Sequence, residues 1–189
     1  MPDFIYCSLI LKGEQQHVQE VKEAISLIDE HDKLRAIDFN KIIPMPESLN
    51  ISEDSDAQMF YKRDYLKKPF DESEVKRFKR MSTTRKQEAK SLAKQYHNNK
   101  KMYGFTTWYD WSVEHWGTKW NAIFSDDEHL RNRTSDTIFF QTAWSPPIPI
   151  MNHLACAYPN VKFILEYFHE QDPNDITTVE FHIGEPPKN

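Results

Sequence analysis

Apolar residues alternate along several short segments of the chain, and two of these segments carry them on both faces. Residues 3–11 read DFIYCSLIL and residues 136–144 read DTIFFQTAW. A strand with apolar side chains on both faces is typical of the interior of a sheet that is covered on both sides. We therefore predict that 3–11 and 136–144 are the central strands of a sheet.

The remaining pattern predicts further strands and two helices around this centre. Alternation predicts strands over 35–43, 121–124, 161–170 and 177–183, and in the first of these Ile37, Phe39 and Ile43 share one face. Apolar residues at helical spacing predict helices over 14–30 and 147–158. In the second helix we expect Ser145 to be the N-cap and Pro146 the first helical residue.

The order of the main elements predicts the fold class. Strand, helix and strand are followed by a long insertion, and then by strand, helix and strand again. This order is a split βαβ arrangement, so we predict an α+β ferredoxin-like antiparallel sheet with helices on one face. Its first and third strands are central, and those are the two segments with apolar residues on both faces. The predicted ferredoxin-like domain comprises 1–46 and 105–189.

Residues 47–104 interrupt this order and predict a mostly helical insertion after the second strand. Residues 71–81 predict a short helix with Val75, Phe78 and Met81 turned inward. Thr84–Gln87 has the form of a capping box, and it predicts a second helix whose inward residues are Ala89, Leu92, Ala93 and Tyr96.

The stretch WYDWSVEHWGTKW, residues 108–120, holds four of the five tryptophans of the chain. It predicts a helix that begins near Thr107 and ends before Gly117, a residue suited to the turn that follows a helix. Aromatic residues of this kind could form a stacking platform for bases, but only Lys119 lies close enough in sequence to supply a positive charge. We therefore predict that Trp111 and Trp116 belong to the core.

Four blocks of the sequence resemble a known family. DFNKIIPMPESL (38–49), WYDWSVEHWGTKWNA (108–122), FQTAWSPPIPI (140–150) and YPNVKFILEYFHEQ (158–171) are similar to the YubB-type ferredoxin-like proteins of phages, plasmids and integrated elements. The resemblance implies the ferredoxin-like fold and an origin in a mobile genetic element. It implies no catalytic residues, and it does not extend to the basic segment 53–103.

Charge is distributed unevenly along the chain. The net charge is −5, yet residues 60–103 contain 14 Lys and Arg against 5 Asp and Glu. Seven of these cations form the predicted partner-binding site: Lys76, Arg77, Lys79, Arg80, Arg85, Lys86 and Lys90. Two structural alternatives stay open, because such cations are also typical of a solvated helix face, or they could dock on the acidic remainder of the same chain.

Motifs for catalysis and cofactor binding are absent from the sequence. Two cysteines form no disulfide framework, eight histidines have no metal-ligand spacing, and four glycines form no phosphate loop or dinucleotide fingerprint. We therefore predict no catalytic residues, no metal and no cofactor. The N-terminus has no basic leader, which favours an intracellular protein. Together with the mobile-element origin that the resemblance implies, this predicts the cytoplasm of a bacterial host cell.

The function expected from the sequence is that of a non-enzymatic binding protein of a mobile genetic element. Its partner is expected to be a host protein or nucleoprotein, and an inhibitor of a host defence system, such as an anti-CRISPR-type protein, is the narrower hypothesis. The alternative is direct nucleic-acid binding through the basic insertion. Binding of RNA bases to aromatic residues of the two central strands (Phe4, Tyr6, Phe139 and Phe140) is a further alternative.

Overall fold

The computed structural model describes residues 3–28, 34–124 and 136–182. The chain divides into two compact units, which we call the sheet unit (Met1–Pro44 and Ser112–Asn189) and the helical unit (Met45–Trp111). The predicted insertion, 47–104, lies within the second of these.

The described strands and helices have the following bounds. The strands are β1 Phe4–Gly13, β2 Ser26–Ile28, β3 Leu34–Ile37, β4 Ile123–Phe124, β5 Thr137–Ala143, β6 Val161–His169 and β7 Asp172–Phe181. The helices are α1 Gln15–Ile25, α2 Phe39–Ile42, α3 Ser55–Asp64, α4 Glu72–Arg80, α5 Thr83–Tyr103, α6 Trp108–Trp116 and α7 Ile148–Ala157.

Five strands form one antiparallel sheet in the order β4-β5-β1-β6-β7. The two segments with apolar residues on both faces became β1 and β5, and neither lies at an edge of this sheet. The predicted α+β class and antiparallel sheet are confirmed. Two-sided apolarity therefore identified the interior of the sheet correctly.

One face of the three inner strands, β5, β1 and β6, is largely buried. Leu9 of β1 lies opposite Ile138 of β5 and Leu165 of β6, and all three side chains are almost inaccessible to solvent. Helix α1 packs on β1 and α7 packs on β6, and the short α2 contacts both helices. Because Phe39 of α2 meets Phe140 of β5 edge to face at 5.9 Å, these helices cover the buried face of the sheet.

The predicted second strand, 35–43, is only partly a strand. Residues 34–37 pair with Ser26–Ile28 in a separate two-stranded sheet, and the chain then turns into α2. Asp38 caps this helix by accepting from the amide of Asn40 at 3.0 Å, and the side-chain oxygen of Asn121 accepts from the amide of Phe39 at 2.8 Å. These caps favour a helical turn that buries Phe39 and Ile42, whereas alternation alone could not distinguish the turn from a strand.

In the sheet unit, the end of α1 and the start of α7 differ from the prediction. Helix α1 ends at Ile25 because Ser26 is extended and starts β2, so the predicted continuation to residue 30 is wrong as far as residue 28, and residues 29 and 30 lie outside the described residues. Helix α7 begins at Ile148, with Pro147 at the N-cap. Ser145 does not cap it, because its hydroxyl donates to the carbonyl of Gly117 at 2.5 Å.

The last residue of α6 and the residues that follow it are held by side chains that bond to distant backbone atoms. Trp116 donates its indole N–H to the carbonyl of Ile43 at 2.9 Å. The Thr118 hydroxyl donates to the carbonyl of Ala143 at 2.8 Å and accepts from its amide at 3.1 Å. Gly117 has φ +78°, and a Cβ there would lie 2.5 Å from Cδ of Pro149, so only glycine fits. Three of the four blocks that carry the family resemblance thus meet at this point.

We expect Trp116→Ala to lower the free energy of unfolding by about 3–5 kcal/mol, because the ring is 4% exposed and its N–H is hydrogen-bonded. Chemical denaturation followed by circular dichroism measures this. Val113→Ala, on the same helix but 42% exposed, is the control and should change stability little. Equal unfolding midpoints for the two variants would contradict a core role for Trp116.

Candidate functional site

The helical unit has its own apolar core. Helix α3 packs against α5, and the buried core residues are Ala57, Met59, Phe60, Tyr61, Ala89, Ala93 and Tyr96. Phe70 and Phe78 contact the ring of Phe60 edge to face, each at 6.0 Å between ring centroids. This core holds α4 beside α3 and α5, and it thereby determines which side of α4 faces solvent.

The inward face of α5 agrees with the prediction, but two other details do not. Ala89, Ala93 and Tyr96 are buried and Leu92 is partly buried. The helix begins at Thr83, because the Ser82 hydroxyl accepts from the amide of Arg85, so the predicted capping box at 84–87 is wrong. On α4, Phe78 and Met81 pack against the core, whereas Val75 is exposed.

Helix α3 was not predicted, and it supplies two carboxylates that order the predicted basic site. Asp54 is its N-cap, accepting from the amide of Ala57 at 2.8 Å. The Tyr96 hydroxyl accepts from the amide of Asp54 at 2.9 Å and donates to the carbonyl of Ser52 at 3.0 Å. Asp56 follows in the first turn, and its side chain is 10% exposed. A carboxylate buried to this extent needs a cationic partner.

Arg85 is the main partner of these two carboxylates. Its Nη2 donates to Asp54 at 2.5 Å and its Nε donates to Asp56 at 2.8 Å. These hydrogen bonds raise the pKa of the Arg85 guanidinium. Burial raises the pKa of Asp54, but the Ala57 amide and Arg85 outweigh burial, so the pKa of that carboxyl lies below its usual value. Arg85 is therefore engaged within the helical unit.

Arg77 is engaged in the same way. Its guanidinium forms an ion pair with Asp56 and donates to the Ser55 hydroxyl at 2.8 Å. Two arginines from α4 and α5 thus neutralise two aspartates at the start of α3. Docking on acids outside residues 60–103 is observed for Arg77 and Arg85, and their partners, Asp54 and Asp56, lie within the helical unit.

Two lysines of the predicted site lie over aromatic rings. The ammonium of Lys86 is 4.2 Å from the ring centroid of Phe78, and that of Lys90 is 5.7 Å from the ring centroid of Phe60. A cation over a ring face contributes about 0.5–1 kcal/mol at an exposed site. Lys86 and Lys90 therefore help to cover the apolar core of the helical unit.

Lys76, Lys79 and Arg80 are the three predicted cations that remain. All three side chains are exposed on α4 and form no hydrogen bond or ion pair to any residue in the described part of the chain. At spacings of three and four residues they lie on one side of the helix. We call these three residues the α4 cation face.

An open depression of about 430 Å³ lies beside this face. It is lined by Asp56, Ser73, Lys76, Arg77, Arg80 and Met81. Residues 73, 76, 77 and 80 form one stripe along α4, because they recur at helical spacing. The depression therefore places two uncommitted cations, Lys76 and Arg80, beside the ordered guanidinium of Arg77.

The charge of the whole helical unit is smaller than that of the segment from which the site was predicted. Residues 45–111 contain 14 basic and 10 acidic residues, a balance of +4, because they add Glu47, Glu53, Asp54, Asp56 and Asp110 to the acids of residues 60–103. Two of these added acids are the partners of Arg77 and Arg85. Three of the exposed cations of the helical unit, Lys76, Lys79 and Arg80, lie together on α4, whereas Lys68, Lys94 and Lys101 lie at separate positions outside it.

The aromatic residues considered for RNA stacking do not share one face of the sheet. Phe140 is fully buried on the face that the helices cover. Phe4, Tyr6 and Phe139 lie half-buried on the opposite face, where Tyr6 stacks on Phe168 at 5.2 Å between centroids. The four rings therefore cannot form one stacking platform.

Within residues 3–28, 34–124 and 136–182, no group of three His, Cys, Asp or Glu side chains is placed to hold a metal ion. No helix in these ranges is long and apolar enough to cross a bilayer.

The match to a known family falls in the sheet unit. Residues 115–185 match the family model of the ferredoxin-like domain in Api92-like protein. The ferredoxin-like expectation is confirmed for this part of the chain. The crystal structure of a protein api92 from Yersinia pseudotuberculosis is similar over 100% of this chain and 99% of that one, with 9% sequence identity and a TM-score of 0.42. No curated protein matches.

We expect Arg85→Met to destabilise the helical unit, because it leaves the buried carboxylate of Asp56 with less compensating charge. Adding Asp56→Asn should recover part of this loss, since the two residues are coupled. Arg80→Met is the matched control and should have little effect on stability. Urea denaturation of the unchanged protein, Arg85→Met, Asp56→Asn and the double variant measures the coupling, and strictly additive changes would contradict the ion-pair assignment.

Stability should also depend on acid pH through Asp54, whose pKa is lowered in the folded chain. The folded chain then binds the proton less tightly than the unfolded chain, so the stabilisation is complete above about pH 4 and is lost as the pH falls further. Asp54→Asn keeps a capping oxygen but removes the charge, so it should flatten this pH dependence. Urea denaturation between pH 7 and pH 3 tests this, and an unchanged dependence would contradict it.

Proposed function

We propose that this protein is a non-enzymatic binding protein that uses the α4 cation face to dock on an acidic or phosphate-bearing partner. The observation that carries the proposal is that Lys76, Lys79 and Arg80 are exposed together and form no ion pair or hydrogen bond with a described residue. Arg77 and Arg85, by contrast, have partners of their own. Exposed cations of one sign attract anionic partners and accelerate their association.

The partner in this proposal is a protein or nucleoprotein of a bacterial host, met in its cytoplasm. The narrower form is inhibition of a host defence system, such as a CRISPR effector, by a product of a mobile genetic element. Its support is the resemblance of four sequence blocks to YubB-type proteins together with the cation face. An effector that carries nucleic acid presents the phosphate charge that such a face would bind.

Direct nucleic-acid binding is the competing function. The purified protein distinguishes it from docking on a protein or nucleoprotein. A nucleic-acid binder should carry nucleic acid from the cells, which raises the ratio of absorbance at 260 and 280 nm. It should also bind a plain duplex with an affinity that falls steeply with salt, at a logarithmic slope of about −0.9 per phosphate neutralised. A protein that docks on a nucleoprotein should be captured with the protein subunits of its partner.

We expect the triple variant Lys76→Glu, Lys79→Glu and Arg80→Glu to lose its partner while keeping its fold. Affinity capture from a host lysate with quantitative mass spectrometry compares it with the unchanged protein. The control is Lys68→Glu, Lys94→Glu and Lys101→Glu, which makes the same change in net charge at exposed lysines outside α4. The proposal requires a component that the α4 variant loses and the control retains.

Arg77 and Arg85 are left unchanged in this design because their reversal would disturb the ion pairs with Asp54 and Asp56. Circular dichroism and thermal unfolding establish that both triple variants are folded. If the α4 variant captures the same components in the same amounts as the unchanged protein, the α4 cation face does not bind the partner and the proposal is wrong.

A further inference from the structure

We infer that the depression beside α4 is a binding site for a phosphomonoester dianion. The inference rests on the proposed function, because it specifies the chemical group that the α4 cation face would recognise. The lining residues that carry it are Lys76, Arg77 and Arg80.

The first step is the balance of charge inside the depression. Asp54 and Asp56 are matched by Arg77 and Arg85, so this group of four side chains is neutral. Lys76 and Arg80 also line the depression and have no partner among the described residues. The uncompensated charge is therefore two positive charges, which a group carrying two negative charges would neutralise.

The second step is the order of the cationic groups. Arg77 lines the depression while Asp56 and the Ser55 hydroxyl hold its guanidinium. An arginine fixed in this way loses little conformational freedom when the N–H groups that Asp56 and Ser55 leave available bind an oxyanion. Lys76 and Arg80, one turn apart on the same stripe, supply the balancing charge. A carboxylate carries one negative charge and two oxygens, so it would neutralise only one of the two uncompensated positive charges.

The neighbouring acidic residues do not neutralise the positive charge of this site. The carboxylate of Glu74 lies 3.8 Å from the ammonium of Lys62, and it also accepts a hydrogen bond from the backbone N–H of Asp71. Glu74, Asp71 and Asp54 line a different depression, of about 480 Å³, which is rich in acidic residues and shares Ser73 and Arg77 with the first. Glu72 lines neither of the two depressions. Basic side chains thus outnumber acidic ones in the first depression, where Asp56 is the acid of the lining, and acidic side chains outnumber basic ones in the second.

The test is an NMR titration of the full-length protein, with amide resonances followed at constant ionic strength. The probes are O-phosphoserine and adenosine 5′-monophosphate, two monoesters from different sources, with dimethyl phosphate and acetate as comparators. We expect both monoesters to shift the amides of residues 73–81, and the comparators to shift them far less. Binding should strengthen as the pH rises through about 6, where a monoester gains its second charge.

The matched variants separate the site from general attraction to a cationic surface. Lys76→Gln with Arg80→Gln should weaken monoester binding by about tenfold or more, because both balancing charges are lost. Lys94→Gln with Lys101→Gln removes the same charge elsewhere and should leave binding unchanged. Binding of only one monoester would support the site and identify its source.

Several outcomes would overturn the inference. It is wrong if acetate or dimethyl phosphate shifts the same amides as strongly as the monoesters, if none of the probes binds, or if the Lys76 and Arg80 variant binds as well as the unchanged protein. These failures differ from failure of the proposed function, which is measured by partner capture. Monoester binding without an effect of the α4 variant on capture would leave the site intact and remove the docking proposal.

Discussion

The arrangement of the helical unit depends on the need to neutralise two carboxylates at the start of one helix. Asp54 caps α3 through its carboxylate oxygen. The carboxylate of Asp56, in the first turn, is largely buried. An unpaired charge in that position would cost several kcal/mol. Arg85 from α5 and Arg77 from α4 meet this requirement, and their guanidinium groups fix both helices relative to α3. The same pairing engages Arg77 and leaves Lys76, Lys79 and Arg80 as the cations of α4 that have no partner among the described residues.

Because folding engages some of the cations of residues 60–103, the charge counted along that segment overestimates the charge available for binding. Counted along the sequence, seven basic residues form one candidate surface. In the structure two of them pair with Asp54 and Asp56, two lie over aromatic rings, and three remain exposed without partners among the described residues. A basic segment is therefore not one surface, because folding uses some of its charge internally. The part that folding does not use is the part from which a binding role can be argued.

The sequence predicted most where one local pattern determined the outcome. Two-sided apolarity placed β1 and β5 inside the sheet, and helical spacing identified the buried side of α5. Prediction failed where distant partners decided the structure. Phe39 is held in a helical turn by Asn121, more than eighty residues away. The pairing of Arg85 with Asp56 spans 29 residues. Helix α3 was missed because its buried residues include Asp56 and a run from Met59 to Tyr61, which form no clear apolar stripe.

The cations of the α4 cation face repel one another. Lys76 lies three residues from Lys79 and four from Arg80, and like charges at these spacings destabilise a helix by about 0.2–0.5 kcal/mol per pair. Lys79 and Arg80 both lie in the last turn of α4, where the helix dipole favours cations, so the dipole opposes this repulsion. Nevertheless, polar uncharged residues at positions 76 and 79 would keep the helix and its packing without the repulsion. A ligand that brings negative charge to this face would remove the repulsion, so the arrangement is more favourable in the bound protein than in the free one.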